Sequence, residues 1–447
     1  MPLDAFLDAY PLIQGVEMLL PDLVGILRGK RTGLNEAREV FAGNGVFTTS
    51  LYAIDTMGQN VDESGLVWEE GDADRVVRLD PATLRPVPWR PERAQVIGGL
   101  CRGDGTPFFA DPRAMLAGLV ARFKALGLTP CVALELEFYL VDPALDAGGL
   151  AQTAFSQRLG RRPREPEVYT FERLDEAEEV LDLIESWCEA QDLPYKGVLT
   201  EYGPGQFEVN LGHVADAVRA ADEAAMLKRL VKAAARQAGS RATFMAKPFA
   251  GESGNGLHIH VSLLDERGRN VFGEAEDGED RLRHAVFGLQ ETLSESILLL
   301  APNANSYRRL QPMSYAPTAP TWGHNNRTVA FRIPSGPPKA RRIEHRVAGA
   351  DANPYAATAA VLAGILHGLE NPGNPGPPIT GNAYEKAGTT IPTSWGEAIA
   401  AAGTGTLLGR YIDPRFLTLY RRCRAAERRR FVGRVTPTEY EWYLGSV

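Results

Sequence analysis

The chain has 447 residues, of which 44% are hydrophobic and 23% are charged, and its formal net charge is −8. That length supports a large packed core and favours more than one domain. The acidic balance argues against general binding to nucleic acid or to a membrane surface, because both favour a strongly basic protein face.

The cysteines and the amino-terminal segment indicate a reducing compartment. The four cysteines lie far apart in the sequence and form no CxxC pair, a usage typical of free thiols. Residues 1–10 contain Asp4 and Asp8, which argues against a signal peptide. The apolar stretch 356–369 is interrupted by His367 and predicts a buried helix rather than a membrane span. We therefore expect a cytoplasmic location.

The first 95 residues predict a small, mainly β domain. Strands are predicted at 15–27 and 45–53, and the proline-rich stretch 81–91 ends this region. After it, amphipathic helices alternate with short strands, and helices are predicted over 111–126, 175–190, 214–238 and 413–432. The last of these helices is rich in arginine. In an otherwise acidic chain, that run indicates a solvated face or a subunit contact rather than nucleic-acid binding.

Residues 132–141 predict a strand whose two faces differ in polarity. Because side chains alternate along a strand, Glu135, Glu137 and Tyr139 share one face, whereas large apolar residues occupy the other. Two neighbouring carboxylates on one face repel each other unless a cation or solvent relieves the repulsion. The apolar face places this strand in a packed sheet.

The same division recurs in four later segments, at 206–211, 257–263, 328–333 and 342–347. One such strand would be explained as the half-solvated edge of a sheet. Five predict a curved sheet with an apolar back and a polar lumen. Besides several arginines, the predicted lumen contains Glu135, Glu137, Glu208, His258, His260 and Glu344.

Many carboxylates, few imidazoles and no thiolates suit hard cations such as Mg²⁺ or Mn²⁺. A zinc site at His258 and His260 is the weaker alternative, because no third histidine or cysteine lies nearby in sequence. The arginines suit phosphate oxygens. Together these groups predict a metal-dependent phosphoryl transfer.

Six segments resemble, in the same order, the motifs of the glutamine synthetase superfamily. They are ELEFYLVD (135–142), EYGPGQFE (201–208), KPFAGESGNGLHIHVS (247–262), NSYRRL (305–310), NNRTVAFRIP (325–334) and KARRIEHR (339–346). The resemblance implies an α+β fold, with an N-terminal β-grasp domain over 1–95 and a catalytic domain over 96–447. The catalytic domain would contain a curved antiparallel sheet and surrounding helices. The resemblance also implies a homo-dodecamer of two hexameric rings, with active sites between subunits.

The resemblance further implies roles for individual residues, together with ATP as co-substrate and two to three Mg²⁺ or Mn²⁺ ions per site. The implied metal ligands are Glu137, Glu201 and Glu208 for one ion and Glu135, His258 and Glu344 for a second. The implied nucleotide-site residues are His260, Ser262, Arg332, Lys339 and Arg342. The implied residues for the substrate glutamate are Glu137, Gly254, His258, Arg309 and Arg346. The implied catalytic arginines are Arg309, Arg346 and Arg327, the last steadying the transferred phosphate.

The chain departs from the glutamine-forming members of the superfamily at the expected ammonium site. Tyr315 stands where those enzymes have a glutamate, and Ser253 stands where they have an asparagine before the glutamate-site glycine. Asp55 is the candidate for the ammonium-binding aspartate. Trp322 and His324 either line the amine pocket or pack beneath it. These departures are similar to the subfamily of γ-glutamyl–amine ligases, which includes γ-glutamylputrescine synthetases.

The implied reaction is ATP-dependent ligation of the γ-carboxylate of glutamate to a primary amine through a γ-glutamyl phosphate. Putrescine or another polyamine is the favoured amine, and acidic side chains are expected at the pocket mouth. The alternatives are a glutamine synthetase that uses ammonium, or ligation to ethanolamine, methylamine or an aromatic amine. A non-catalytic structural or regulatory protein is a further alternative, but it predicts loss of metal positions and all six are present. Regulation through Tyr384 is not expected, because its sequence context differs from that of the adenylylated tyrosine.

Overall fold

The computed structural model describes residues 3–166 and 168–447, and its strands form two sheets. Residues 1 and 2 of the predicted N-terminal domain lie outside the described residues. The first sheet contains β1 (Gly15–Pro21), β2 (Leu27–Gly33), β3 (Val46–Thr48), β4 (Asp74–Leu79), β5 (Arg85–Pro86) and β6 (Arg93–Cys101). The second contains β7 (Thr129–Val141), β8 (Tyr195–Thr200), β9 (Gln206–Leu211), β10 (Arg241–Thr243), β11 (Leu257–Leu264), β12 (Trp322–His324), β13 (Phe331–Ile333) and β14 (Ile343–His345).

The helices lie between and after these strands. The shorter ones are α1 (Leu3–Ala9), α2 (Leu34–Phe41), α4 (Phe171–Glu176), α8 (Ser306–Arg309), α10 (Ala383–Ala387), α11 (Trp395–Thr404) and α13 (Pro437–Tyr443). The longer ones are α3 (Pro112–Ala125), α5 (Glu178–Ala190), α6 (Ala217–Gln237), α7 (Gly278–Leu300), α9 (Pro354–Glu370) and α12 (Pro414–Val432). The predicted α+β class is confirmed, with helices surrounding the second sheet.

The first sheet has the strand order β2-β1-β6-β4-β3, and β5 also pairs with β6. Strands β1 and β6 are parallel, the other pairs are antiparallel, and α2 packs against the sheet. This arrangement is compatible with the β-grasp domain, which stays a prediction. The division at residue 95 also stays a prediction, although β6 continues the first sheet past that point to Cys101.

Two predicted strands of this region are shorter than expected. The strand predicted over 15–27 ends at Pro21, because the buried Asp22 carboxylate accepts hydrogen bonds from the backbone N–H groups of Val24 and Ile26 and closes a turn. The chain then returns as β2. The strand predicted over 45–53 ends at Thr48, where a 3₁₀ turn begins.

The second sheet has the order β12-β13-β14-β11-β7-β9-β8, with β10 paired to the end of β7. All neighbours are antiparallel except β12 and β13. The predicted antiparallel sheet is therefore confirmed, apart from this parallel pair at one edge. Its apolar back is buried, as shown by the fully buried side chains of Leu134, Leu136 and Ile259.

Helices α7 and α9 pack closely against each other in the core. A Cβ atom on Gly288 would lie 2.2 Å from both the Gly364 carbonyl oxygen and the Gly368 nitrogen, so only glycine permits this approach. Helix α9 is buried over nearly its whole length, which confirms the buried helix predicted at 356–369. Among the described residues, no helix is both long and apolar enough to cross a membrane.

The predicted helix boundaries agree with the structure where a capping residue marks them. Asp111 and Asp216 each cap a helix by accepting two backbone N–H groups, at α3 and α6. The helix predicted over 175–190 is two helices, because Ala177 leaves helical geometry between α4 and α5. Helix α12 agrees with the arginine-rich helix predicted over 413–432.

Candidate active site

Strand register aligns the polar residues of the second sheet. Glu135 on β7 lies opposite His258 on β11, and Glu137 lies opposite Glu208 on β9. His260 lies opposite a glutamate of β14, which in turn lies opposite an arginine of β13. Because directly opposed residues point to the same side of a sheet, these pairs form one continuous polar face.

This face lines a cavity of about 540 Å³, within the size range of small-molecule sites. The predicted site residues that line it are Glu135, Glu137, Glu201, Glu208, Gly254, His258, His260, Arg309, Tyr315, Arg327, Arg332, Arg342, Glu344 and Arg346. Three predicted residues do not line it. Ser262 is buried further along β11, Lys339 is exposed in a turn after β13, and Asp55 lies between β3 and β4.

Three groups of side chains have ligand atoms close enough to share a metal ion, with all ligand atoms of a group within 4.8 Å of one another. One group is Glu137, Glu201 and Glu208, the same trio that the sequence resemblance implies for the first ion. The others are Glu135, Glu208 and His258, and Glu135, His260 and Glu344. The implied second trio is thus divided between two groups that share Glu135. The donor atoms are mainly carboxylate oxygens, which fits hard divalent cations.

Two carboxyls of the cluster are buried beside other carboxylates, and a bound cation would neutralise this negative charge. Burial, and next the charge of Glu137, raise the pKa of Glu201 to about 7. Burial and the surrounding carboxylates, first Glu135, raise the pKa of Glu208 well above its usual range. Since neighbouring negative charge favours the protonated form, this crowding is the electrostatic signature expected of an acidic metal site before metal binds.

Two other carboxyls of the cluster have compensating partners. Burial raises the pKa of Glu344. This effect is outweighed by Arg346, the two histidines of β11 and Arg332, which together lower the pKa to about 2. Arg332 Nη1 lies 2.5 Å from Glu344 Oε2, and Arg346 pairs with the other oxygen. Burial is likewise outweighed at Glu135, where His260 and His258 lower the pKa below its usual range. His260 Nε2 lies 2.9 Å from Glu135 Oε1.

The predicted glutamate pocket is built around a buried arginine. Arg309 Nη1 donates to the Val347 carbonyl oxygen at 2.8 Å, and Nη2 donates to the Arg346 carbonyl oxygen at 3.2 Å. Gly254 packs against this side chain, and a Cβ atom there would lie 2.7 Å from Arg309 Cγ. Glu137 is fixed nearby by the Gly256 N–H at 2.7 Å. These contacts hold a cation and a carboxylate side by side on rigid backbone.

Three of the predicted nucleotide residues line the cavity, namely His260, Arg332 and Arg342. Arg342 Nε donates to His260 Nδ1 at 3.1 Å, which orients the imidazole. The His213 ring stands edge-on to His260, with 6.0 Å between ring centroids. Arg332 and Arg342 add two guanidinium groups to the cavity lining, the donors that suit phosphate oxygens.

The cavity also contains an aromatic wall, which we define as the side chains of Tyr202 and Tyr315. Their rings are stacked with centroids 5.8 Å apart, and both line the cavity, as does Tyr169. Neither Tyr169 nor Tyr202 was predicted as a site residue from the sequence. Only the place of Tyr202 inside the motif EYGPGQFE would have indicated it.

The remaining candidates for the amine pocket lie outside the cavity. The Asp55 carboxylate pairs with Arg430 Nη1 at 2.6 Å and accepts two backbone N–H groups. Its role at an amine site stays a prediction that requires a neighbouring subunit. Trp322 is fully buried and donates through Nε1 to the Gly376 carbonyl oxygen at 3.2 Å, so it packs beneath the site.

Comparison with known proteins gives one consistent picture. The family described as glutamine synthetase, catalytic domain, matches residues 109–443. Gamma-glutamylputrescine synthetase PuuA from Escherichia coli is 41% identical over 98% of this chain and 93% of its own length. Gamma-glutamylethanolamide synthetase GlnA4 from Streptomyces coelicolor is 34% identical over 96% of this chain and 92% of its own. A solved GmaS chain in complex with ADP superposes with a TM-score of 0.85 at 26% identity, covering 99% of both chains.

Proposed function

Because the chain belongs to the glutamine synthetase family, it is an ATP-dependent ligase that joins glutamate to an amine, and we propose that the amine is putrescine or a related polyamine. The proposed reaction has two steps. ATP transfers its γ-phosphate to the γ-carboxylate of glutamate, giving γ-glutamyl phosphate and ADP. The amine nitrogen then attacks the acyl carbon and displaces phosphate.

One observation carries this proposal: three carboxylate-rich ligand groups and five cavity arginines surround the same cavity of about 540 Å³. Glu137, Glu201 and Glu208 would hold one divalent ion, and Glu135, with His258 or with Glu344, would hold another. Bound Mg²⁺ or Mn²⁺ would supply neutralisation of the phosphate oxygens. Two to three ions per site are what the family resemblance implies.

The arginines of the site have separate proposed tasks. Arg309 binds and orients glutamate, because its guanidinium is anchored to backbone beside Glu137. Arg327 lines the cavity from the loop between β12 and β13, where an exposed cation is suited to the transferred phosphate. Arg332 and Arg342 line the cavity beside His260 and bind the phosphates of ATP. A closed cavity would also keep water from hydrolysing the acyl phosphate.

The preference for a primary amine over ammonium rests on Tyr315. Its position corresponds to the glutamate that the family resemblance implies for ammonium binding, and its ring lines the cavity. A neutral, bulky phenol cannot replace a carboxylate that binds and deprotonates ammonium. Relatives that are gamma-glutamylputrescine and gamma-glutamylethanolamide synthetases support an amine larger than ammonium, and the 41% identical relative favours putrescine.

The test is phosphate release by the purified protein with ATP, Mg²⁺, glutamate and a panel of amines. The panel contains putrescine, ethanolamine, isopropylamine, methylamine and ammonium. We expect the highest kcat/KM with putrescine. A higher kcat/KM with ammonium than with every primary amine would identify a glutamine synthetase instead, and absence of ADP formation with any amine would identify a non-catalytic member.

The homo-dodecamer stays a prediction of the family resemblance, and the cytoplasmic location stays a prediction from the cysteines and the N-terminal segment. The dodecamer would place Asp55 of one subunit near the cavity of its neighbour. Light scattering on the full-length protein measures the mass directly. A mass near twelve times 48.7 kDa supports the assembly, whereas an active monomer would contradict active sites shared between subunits.

A further inference from the structure

A diamine substrate carries a second cation that the site must recognise, and the carboxylates of the cavity are already assigned. Among the described residues, every carboxylate that lines the cavity belongs to the proposed metal set, namely Glu135, Glu137, Glu201, Glu208 and Glu344. In the part of the chain that the structure describes, the cavity lining therefore holds no further acidic side chain of the kind that the sequence led us to expect at the pocket mouth. Asp55 cannot supply one freely, because its carboxylate is buried and paired with Arg430.

The cavity instead offers aromatic faces at its amine end. Resting on the proposed function, we propose that the aromatic wall of Tyr202 and Tyr315 binds the distal ammonium of a diamine through cation–π contacts and thereby selects diamines over monoamines. The two rings are stacked, with 5.8 Å between their centroids and 28° between their planes. They remain 43% and 51% exposed, although aromatic side chains of this size are usually more deeply buried.

The aromatic wall lines the same cavity as the proposed metal ligand Glu201, which directly precedes Tyr202 in the chain. The Tyr202 N–H donates to Glu201 Oε2 at 3.3 Å, so this tyrosine adjoins a proposed metal ligand. An extended diamine whose first nitrogen attacks the acyl carbon would thus direct its second nitrogen toward the rings. Each phenol oxygen is an additional acceptor for an ammonium N–H.

The loop that carries Tyr315 is built to hold that ring in place. Tyr315 has a φ of +57° and Met313 a φ of +60°, a conformation that non-glycine residues adopt at a cost of about 1–3 kcal/mol. Ser314 Oγ donates to the Gln311 carbonyl oxygen at 2.6 Å, and Tyr384 Oη donates to the Ala316 carbonyl oxygen at 2.9 Å. The surrounding structure therefore maintains an unfavourable backbone whose result is an exposed ring in the cavity.

The experiment compares putrescine with butylamine, which has the same carbon chain but no distal cation. In the wild-type protein we expect kcat/KM to be higher for putrescine by about tenfold or more. In Tyr202→Leu and in Tyr315→Leu this ratio should fall by about tenfold, whereas Tyr202→Phe and Tyr315→Phe, which keep the ring, should stay within about threefold of the wild type. Because both rings are half exposed, we expect the variants to melt like the wild type.

The outcomes separate this inference from the proposed function. Equal losses with putrescine and butylamine in the leucine variants would overturn it, because the rings would then act only as apolar packing. A wild-type ratio near one would also overturn it, and that measurement needs no variant. Failure of the proposed function looks different, since the wild-type protein would then favour ammonium over all primary amines or form no ADP.

Discussion

His258 and Glu135 lie directly opposite each other in the β11–β7 ladder, with His258 Nδ1 3.4 Å from Glu135 Oε2. The same imidazole presents Nε2 at 3.8 Å from Glu137 Oε1. One histidine therefore bridges two carboxylates of the same strand face. Strand register thus aligns three potential ligands without any loop movement.

Glu344 should be needed for turnover more than for folding. It is held between Arg332 and Arg346, and it belongs to a ligand group with Glu135 and His260. We expect Glu344→Ala to lower kcat by at least about a hundredfold, because loss of its charge weakens both metal binding and arginine alignment. The assay is phosphate release at saturating substrates.

Glu344→Gln distinguishes loss of charge from loss of fold, because an amide oxygen still accepts one arginine hydrogen bond. We expect it to melt cooperatively and to remain almost inactive. The matched control is Glu279→Ala, at an exposed position in the first turn of α7, which should leave both measurements unchanged. Substantial activity in Glu344→Ala would contradict a metal role.

Metal affinity should weaken in mildly acidic solution. Burial and the charge of Glu137 raise the pKa of Glu201 to about 7, and divalent ions bind the deprotonated carboxyl. Protons therefore compete increasingly as the pH falls through 7, whereas at pH 8 the carboxyl is mostly ionised. We expect the Kd for Mn²⁺ to rise by up to about tenfold per pH unit between pH 7 and pH 6.

Calorimetric titration with Mn²⁺ at pH 6, 7 and 8 checks this expectation. Glu201→Gln should bind Mn²⁺ more weakly at pH 8 and should show a flatter pH dependence. Because Glu208 shares the ligand group and its pKa is also raised, some dependence should remain. A Kd that does not change with pH in the wild-type protein would contradict the assignment of these carboxyls as ligands.

Gly254→Ala should impair glutamate binding selectively. The new Cβ atom would lie 2.6 Å from the Ala246 carbonyl oxygen and 2.7 Å from Arg309 Cγ, so the guanidinium must shift. We expect the KM for glutamate to rise by about tenfold, with a loss of about 1–3 kcal/mol in stability from overpacking. The KM for ATP should change little, since neither Arg342 nor His260 is among the nearest neighbours of the added Cβ atom.

The same loop provides the matched control for Gly254→Ala. A Cβ atom on Gly251 would meet no heavy atom within 4 Å, so Gly251→Ala tests the added methyl group without the clash. We expect its kinetic constants to equal those of the wild type. Equal effects of the two substitutions would show that loop flexibility, and not contact with Arg309, controls glutamate binding.

Asp111 should make folding stability depend on pH. This carboxyl caps α3 in the interior, and burial raises its pKa from 3.8 to about 6. The folded state therefore binds more protons than the unfolded state between these values, and stability declines as the pH rises toward 6. Above pH 6 the buried charge imposes its full cost, on the order of 3 kcal/mol.

Asp111→Asn keeps a capping oxygen and removes that charge. We expect a higher melting temperature than the wild type at pH 7.5 and a smaller difference at pH 5, measured by scanning calorimetry. Asp216→Asn is the control, because this aspartate caps α6 in the same way at an exposed position where water solvates its charge. A destabilised Asp111→Asn at pH 7.5 would show that the ionised cap is favourable.

The sequence was sufficient to identify the polar face, because alternation along a strand follows from local backbone geometry. The carboxylates of 132–141 and the histidines of 257–263 are assigned to the correct side of their strands by this rule alone. Helix ends were predictable where Asp111 and Asp216 provide local caps. The break between α4 and α5 was not, since alanine at 177 carries no local signal.

Tertiary structure alone decided which of these residues meet. Register brings Glu137 opposite Glu208, and strand order brings His260 opposite Glu344, which divides the ligands into three groups rather than the two implied by sequence. The stacking of Tyr202 on Tyr315 likewise joins distant loops. Sequence by itself determined the α+β class, the family and the chemical character of the lumen. The partners could not be read from it, because a contact between distant segments depends on the packing of the whole chain and leaves no local pattern.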